Sequence, residues 1–392
     1  MEIKKYMKEN FNLKNILGRF KGLFSIGIAD ILGAVISSAL WLYFATILDV
    51  DAYGKIFYIF AIGNMATSIS LLGSRHTLMV YIPKNIRFES SIFLLVLISG
   101  SIVSLASFVI YSNYTLSFYI LGAVIFGLSA SEILARKLYT NYFKFMIIQK
   151  SLMVALSLVL YYLIGINGII LGVGLSFLPY LLIVIREFQI TKIDFSLLKP
   201  RLGFMMNSYG VNILATSSKQ IDLLIVAPLL GFTLLGNYQL GIQFIGIFQL
   251  IPLIVMKFTL PHDASGNPNT NLKISTILAS IGFTIFIILF TPTIIPIFFE
   301  KFIYAIDLIQ ILSLSIILVS LNVSYTSKFL GNEQYKIITI GTILLILVHI
   351  SGIFILGEIY GIIGIALSYV LSMSSQTIFY FVMDKRKTIF KF

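Results

Sequence analysis

The chain has 392 residues, of which 58% are hydrophobic and only 11% are charged, and its mean hydropathy is +0.98. A water-soluble protein needs a charged surface around its core, so this composition excludes a soluble enzyme and predicts an integral membrane protein. Cysteine is absent, which excludes disulfides, thiolate metal sites and a cysteine nucleophile. The formal charge of +12 does not indicate nucleic-acid binding, because the basic residues are dispersed among apolar segments.

The N-terminal segment is basic. Apolar residues from Ile3 to Phe20 recur at helical spacing among six Lys and Arg residues. This pattern predicts either an amphipathic helix on the inner leaflet or a solvated tail that sets topology. No cleavable signal peptide is expected, because the first apolar stretch is longer than a signal h-region.

Apolar runs of about 20 residues predict roughly twelve transmembrane helices. Lipid offers no partner for unpaired backbone groups, and the runs lack the alternation of barrel strands, so they must be helical. The predicted spans are residues 23–48, 53–82, 92–111, 116–134, 145–164, 168–185, 209–230, 232–260, 274–290, 303–322, 337–356 and 359–383.

Lys and Arg residues predict the orientation. With both termini inside, 25 of 28 fall on the inner side, Lys55 and Lys301 fall outside, and Lys219 lies within a span. This bias predicts a multi-pass protein of the plasma or inner membrane with cytoplasmic termini.

Internal similarity predicts two pseudo-symmetric lobes of six helices, residues 1–195 and 196–392, separated by a charged connector. An offset of 182 aligns Gly54 with Gly236, and Arg75 with Lys257. An offset of 192 aligns Gly165 with Gly357 in later spans. Halves with six spans each share their orientation, so we expect them to be related by an axis along the membrane normal.

Two hairpins carry a resemblance to a known family. The first runs from Asp49 through Gly54 to Arg75, and the second runs from Lys219 and Asp222 to Gly236, Asn237 and Tyr238. They resemble the multidrug/oligosaccharidyl-lipid/polysaccharide (MOP) flippase superfamily, particularly the Wzx-like polysaccharide flippases. The resemblance implies two six-helix lobes around a cavity that opens alternately to each side. It also implies a lipid-linked glycan as substrate, and membrane lipids and glycan-assembly proteins as partners.

Charged side chains within the spans are the candidate site residues, because such charges cost about 2.5 to 3.5 kcal/mol on insertion and usually face a cavity or a partner. Arg75, Lys257 and Lys219 are predicted to bind the phosphate-bearing headgroup. For Arg75 and Lys257, which lie near the inner ends of their spans, the alternative is that each side chain extends to the inner lipid headgroups. Asp30 and Asp222 are predicted to face the cavity and to bind a coupling cation, with Na⁺ and H⁺ both left open. For Lys219 and Asp222, mutual neutralisation is an equal alternative.

Other polar residues predict no further chemistry. His76, His262 and His349 do not have the spacing of a metal site, and His349 is interpreted as a packed neutral residue or a proton relay. Glu132 with Arg136 is interpreted as a surface ion pair.

We expect no catalytic residue and no cofactor. A membrane glycosyltransferase or polymerase is disfavoured by the short outer connections, whereas a cation-coupled multidrug exporter of the same superfamily stays open.

Overall fold

A computed structural model of the chain describes residues 13–389. Helices account for nearly all of these residues and no strand occurs among them, which confirms the predicted all-helical fold. Most of the predicted N-terminal amphipathic segment lies outside the described residues. The helices are α1 Leu13–Ile47, α2 Val50–Ser70, α3 Ser74–Tyr81, α4 Glu89–Tyr111, α5 Tyr114–Ala135, α6 Tyr139–Ile164, α7 Ile166–Leu175, α8 Leu181–Ile190, α9 Phe195–Leu198, α10 Leu202–Leu230, α11 Phe232–Ala264, α12 Thr270–Phe298, α13 Ala305–Gly331 and α14 Tyr335–Ile389.

The helices supply the twelve predicted spans. Within residues 13–389, nine helical segments are long and apolar enough to cross a bilayer, and two bent helix pairs add two spans. The 55-residue α14 is itself two helices, because Gly361 interrupts it with φ 59° and ψ −134°. The chain is therefore a multi-pass membrane protein.

The second span is broken, although the sequence predicts one continuous helix over residues 53–82. Helix α2 ends at Ser70, and α3 continues at an angle of 49°. Leu72 and Gly73 between them have positive φ values of 49° and 75°. A Cβ at Gly73 would collide with the carbonyl oxygen of Met205, so this position combines an unusual backbone conformation with a close helix contact.

Two hairpins have the same internal geometry. Gly165, with φ 70° and ψ −147°, joins α6 to α7, and Gly361 joins the two arms of α14. Gly172 packs against Ser157 across the first hairpin, and Gly352 packs against Ser368 across the second. The arms of each hairpin therefore run antiparallel from a glycine turn.

The equivalence of these hairpins corrects the second predicted offset. The equivalent residues are Gly165 and Gly361, Leu160 and Leu356, and Gly168 and Gly364. Each pair differs by 196, so the predicted offset of 192 is wrong. Apolar helices rich in glycine align in several registers, and only the positive φ values identify the turn glycines.

The offset of 182 describes a symmetric helix contact. A Cβ at Gly54 would collide with the carbonyl oxygen of Phe232, and a Cβ at Gly236 would collide with that of Val50. Val50 and Phe232 also differ by 182, so each contact maps onto the other. This exchange is the signature of a local two-fold axis.

Contacts divide the chain into two compact units. Unit 1 comprises residues 1–37 and 59–220, and unit 2 comprises residues 38–58 and 221–392. The dividing points lie inside α1, α2 and α10, so three long helices contribute to both units. The lobe boundary at residue 195 stays a prediction.

Candidate functional site

A polar cluster in unit 1 surrounds Tyr142 of α6. The Tyr142 hydroxyl donates a hydrogen bond to Oδ1 of Asp30 on α1, with an O–O distance of 3.1 Å. Tyr142 belongs to a buried hydrophobic cluster together with Ala29 of α1 and with Ala130 and Ile133 of α5. Packing from two neighbouring helices thus fixes the hydroxyl opposite the carboxylate, and Asp30 keeps a donor within the membrane-spanning region.

Arg75 belongs to the same cluster. It lies on α3, two residues after Gly73, at the break in the second span. Arg75 is exposed, and it interacts electrostatically with Tyr142. The structure therefore brings two predicted site residues, Asp30 and Arg75, to one tyrosine.

A second polar cluster, in unit 2, surrounds Asp222. Its Oδ2 accepts a hydrogen bond of 2.9 Å from the Tyr238 hydroxyl, and its Oδ1 accepts one of 2.9 Å from the backbone N–H of Leu223. Lys219 is exposed whereas Asp222 is half-buried, and no ion pair joins the two within the described part of the chain. The predicted alternative of mutual neutralisation is therefore wrong, because Asp222 takes its hydrogen bonds from Tyr238 and from the backbone and not from Lys219.

His349 completes the Asp222 cluster. It is only 4% exposed and interacts electrostatically with Asp222. Its ring meets that of Tyr369 edge to face at 5.7 Å, and its Nδ1 lies 3.4 Å from the Ser368 hydroxyl. The carboxylate, the imidazole and two tyrosines form a connected polar group, and cation binding at Asp222 stays a prediction.

The remaining predicted cations are exposed. Lys219 lies in α10 in unit 1, and Lys257 lies in the unbroken α11 in unit 2. Arg75 follows a break in its helix, whereas its sequence equivalent Lys257 does not. The two positions therefore differ in backbone context, and the convergence of Arg75, Lys219 and Lys257 on one cavity stays a prediction.

Glu132 and Arg136 do not form a surface ion pair, contrary to the prediction. Arg136 contacts three buried carboxylates: Glu132, Glu89 at 3.1 Å and Glu187 at 2.7 Å. The three glutamates are at most 2% exposed, and they come from α5, α4 and α8. One guanidinium thus joins three helix ends in unit 1, a structural role that no sequence periodicity indicates.

Sequence reasoning also missed Lys150. The predicted span begins at residue 145, so Lys150 was counted among the 25 Lys and Arg residues on the inner side of the membrane. The structure begins α6 at Tyr139, which places Lys150 well inside the helix. A lysine within an apolar run was the available signal. The tyrosine partners of Asp30 and Asp222 gave no such signal, because tyrosine is common throughout the chain.

No family model and no curated protein sequence matches the chain. Its structure is similar to that of the lipid II flippase MurJ in an inward closed conformation, with a TM-score of 0.74 and 14% identity over 92% of this chain and 87% of MurJ. It is also similar to an inward-facing multidrug resistance MATE family transporter of the MOP superfamily, with a TM-score of 0.71 and 14% identity over 93% and 97%. A third similar structure is that of the MATE multidrug transporter DinF-BH, with a TM-score of 0.65 and 13% identity over 93% and 95%.

The chain has the same fold as these MurJ and MATE structures. The likeness covers more than nine-tenths of the chain, so it extends over both units. This fold occurs in the lipid II flippase and in the multidrug transporters alike, so the fold by itself names no substrate for this chain.

Proposed function

We propose that this protein is a flippase for a lipid-linked oligosaccharide. It moves a polyprenyl phosphate or pyrophosphate glycan from the inner to the outer leaflet by alternating access, in the synthesis of a cell-surface polysaccharide or glycan. Its membrane is the plasma or inner membrane, with both termini in the cytoplasm. Its partners are the lipid-linked glycan, membrane lipids and glycan-assembly proteins.

The charge of the exposed membrane residues carries this proposal. Arg75, Lys219 and Lys257 are exposed within membrane-spanning segments. The carboxylates of Asp30 and Asp222 are instead half-buried and hydrogen-bonded by tyrosines. A site that presents cations attracts an anionic headgroup and repels the organic cations that many drug exporters move.

The physical problem also fits the proposed substrate. A sugar phosphate headgroup cannot cross about 30 Å of hydrocarbon unaided, whereas the polyprenyl tail of the same molecule is apolar and remains in the lipid. A protein that moves it needs polar, cationic surface within the membrane for the headgroup alone. Arg75 and Lys257 are proposed to supply that surface, together with Lys219, while Asp30 and Asp222 couple the cycle to Na⁺ or H⁺.

A cation-coupled multidrug exporter is the alternative, and the similarity to two multidrug transporters favours it. Exporters of this kind need a site for cationic or amphipathic drugs. On this alternative, the half-buried carboxylates contact the substrate and the exposed cations have no role in transport.

Depletion of the protein in the cells that naturally produce it distinguishes a flippase from a multidrug exporter. We expect full-length lipid-linked oligosaccharide to accumulate, and to stay inaccessible to a lectin or glycosidase added to intact cells. Cells that contain the protein should expose the glycan. Unchanged lipid-linked glycan together with raised sensitivity to cationic dyes would overturn the flippase proposal and support the exporter.

A further inference from the structure

Lys150 is a cation in unit 1 that lies on the protein-facing side of α6. The helix presents an exposed stripe of residues at helical spacing: Lys144, Ile148, Ala155, Val159 and Tyr162. Lys150 lies instead in the row formed by Tyr142 and Met146, which are 8% and 9% exposed. Residues four apart lie on the same helix face, so Lys150 continues the row that packs against α1.

Its depth makes this placement costly without a partner. Lys150 follows Lys144 by six residues, which is about 9 Å further along the helix axis. Lys144 lies on the exposed stripe, from which a side chain can reach the headgroups around the outside of the helix. Lys150 faces the interior, so that route is closed to it.

The Lys150 side chain packs against Gly33 of α1. A Cβ at Gly33 would contact Cε of Lys150 at 3.5 Å and Cγ at 3.7 Å, so the aliphatic stem runs directly over the glycine. Gly33 is one helical turn from Asp30. The stem is therefore packed on α1 one turn from Asp30, and Lys150 as a whole is half-buried.

The ammonium has no hydrogen-bond or ion-pair partner among the described residues. A second polar group of unit 1 is in the same condition: the hydroxyl of Tyr180 is buried and lacks a partner in the described part of the chain. Tyr180 packs with Tyr142 and Met146 in one cluster. A cation and a hydroxyl donor without acceptors suggest that the acceptor is a ligand.

We propose that Lys150 is an anion-binding residue of the transport cycle, which takes a phosphate or pyrophosphate group within unit 1. This inference rests on the proposed function, because it names a further residue for the same class of substrate. The ammonium supplies charge-assisted hydrogen bonds to phosphate oxygens.

Binding of farnesyl pyrophosphate to the purified full-length protein tests the inference, with farnesol as the uncharged probe. Lys150→Gln should weaken pyrophosphate binding at least tenfold and leave farnesol binding unchanged. Lys150→Arg should keep most of the affinity. Lys144→Gln, which removes a lysine from the exposed stripe of the same helix, is the matched control and should bind as the original protein does.

A second measurement avoids any dependence on the folding of the variant. Reductive methylation of the original protein, followed by mass spectrometry, should show Lys150 protected by farnesyl pyrophosphate and not by farnesol. Equal modification in both cases, or wild-type affinity in Lys150→Gln, overturns the role of Lys150 and leaves the proposed function standing. If the original protein does not bind farnesyl pyrophosphate at all, the polyprenyl phosphate substrate itself is wrong.

Discussion

The Tyr142 hydroxyl donates its hydrogen bond to Asp30 from a position 112 residues further along the chain. Tyr238 holds Asp222 in the same way in unit 2. A tyrosine hydroxyl is a neutral donor, so its hydrogen bond orients a carboxylate without cancelling the charge. In each unit, therefore, a tyrosine positions a membrane carboxylate in a way that is compatible with binding a cation or a proton.

We expect at least one of the two variants Asp222→Asn and Asp30→Asn to transport substrate independently of the driving ion. The transport rate of that variant should fall at least tenfold. The amide keeps the size of the side chain and removes the charge that attracts a cation. Transport by reconstituted protein, measured with and without a Na⁺ or H⁺ gradient, checks this. Asp51→Asn, in an exposed pair with Lys55, is the control. Unchanged rate and ion dependence in both variants would rule out the coupling role.

Arg75→Gln and Lys257→Gln should each reduce flipping at least tenfold while membrane levels stay normal. The glutamine side chain keeps hydrogen-bonding capacity and loses the charge that strengthens a contact with phosphate. The measurement is the appearance of lipid-linked glycan in the outer leaflet. Lys55→Gln removes an exposed lysine from a different helix and should have no effect. Normal flipping by both variants would leave these side chains with no role beyond reaching toward the inner headgroups.

Arg136→Gln should destabilise the protein by about 3 kcal/mol, because it leaves three buried glutamates without their shared cation. The expected result is a large fall in melting temperature in detergent and reduced expression. Removing one side of the exposed Lys55 and Asp51 pair should change stability by less than about 1 kcal/mol. A variant at position 136 as stable as this control would show that the glutamates are protonated and do not need the arginine.

Gly54→Ala and Gly236→Ala should each impair folding or transport, because a Cβ at either position collides with a backbone carbonyl. Backbone atoms cannot move aside as a side chain does, so the two helices must separate. Gly246→Ala in the same α11 is the control, since a Cβ there has no neighbour within 4 Å. Alanine is the better helix former, so this control should be neutral or slightly stabilising. Equal behaviour of all three variants would contradict the close approach.

Much of the fold could be predicted from the sequence, because each span leaves a long apolar run and the charges alternate between the two sides. Breaks inside the spans were harder to predict. Gly73 followed by Ser74 is a visible turn signal, but nothing in the sequence distinguishes it from the many glycines that continue a helix. The distinction depends on the close approach of Met205, far along the chain.

The candidate site was predicted only in part. Asp30, Arg75 and Asp222 were found because charges in apolar runs are rare. Their partners Tyr142 and Tyr238 are of a common type, and only the packing of separate helices brings them close. The Arg136 network was misjudged for the same reason: the sequence shows the contact one turn away with Glu132, and it cannot show Glu89 or Glu187 arriving from other helices.

The offset is 182 between Gly54 and Gly236, where two helices approach closely, and 196 between the turn glycines Gly165 and Gly361. The segment from Gly236 to Gly361 is therefore fourteen residues longer than the segment from Gly54 to Gly165. Most of the excess lies in α12 and α13, which have 29 and 27 residues against 23 and 22 in α4 and α5. If the halves descend from one duplicated segment, the copies have diverged by insertion as well as by substitution. Any search for the duplication at a single fixed spacing therefore detects only one end of it, and alignment must proceed landmark by landmark.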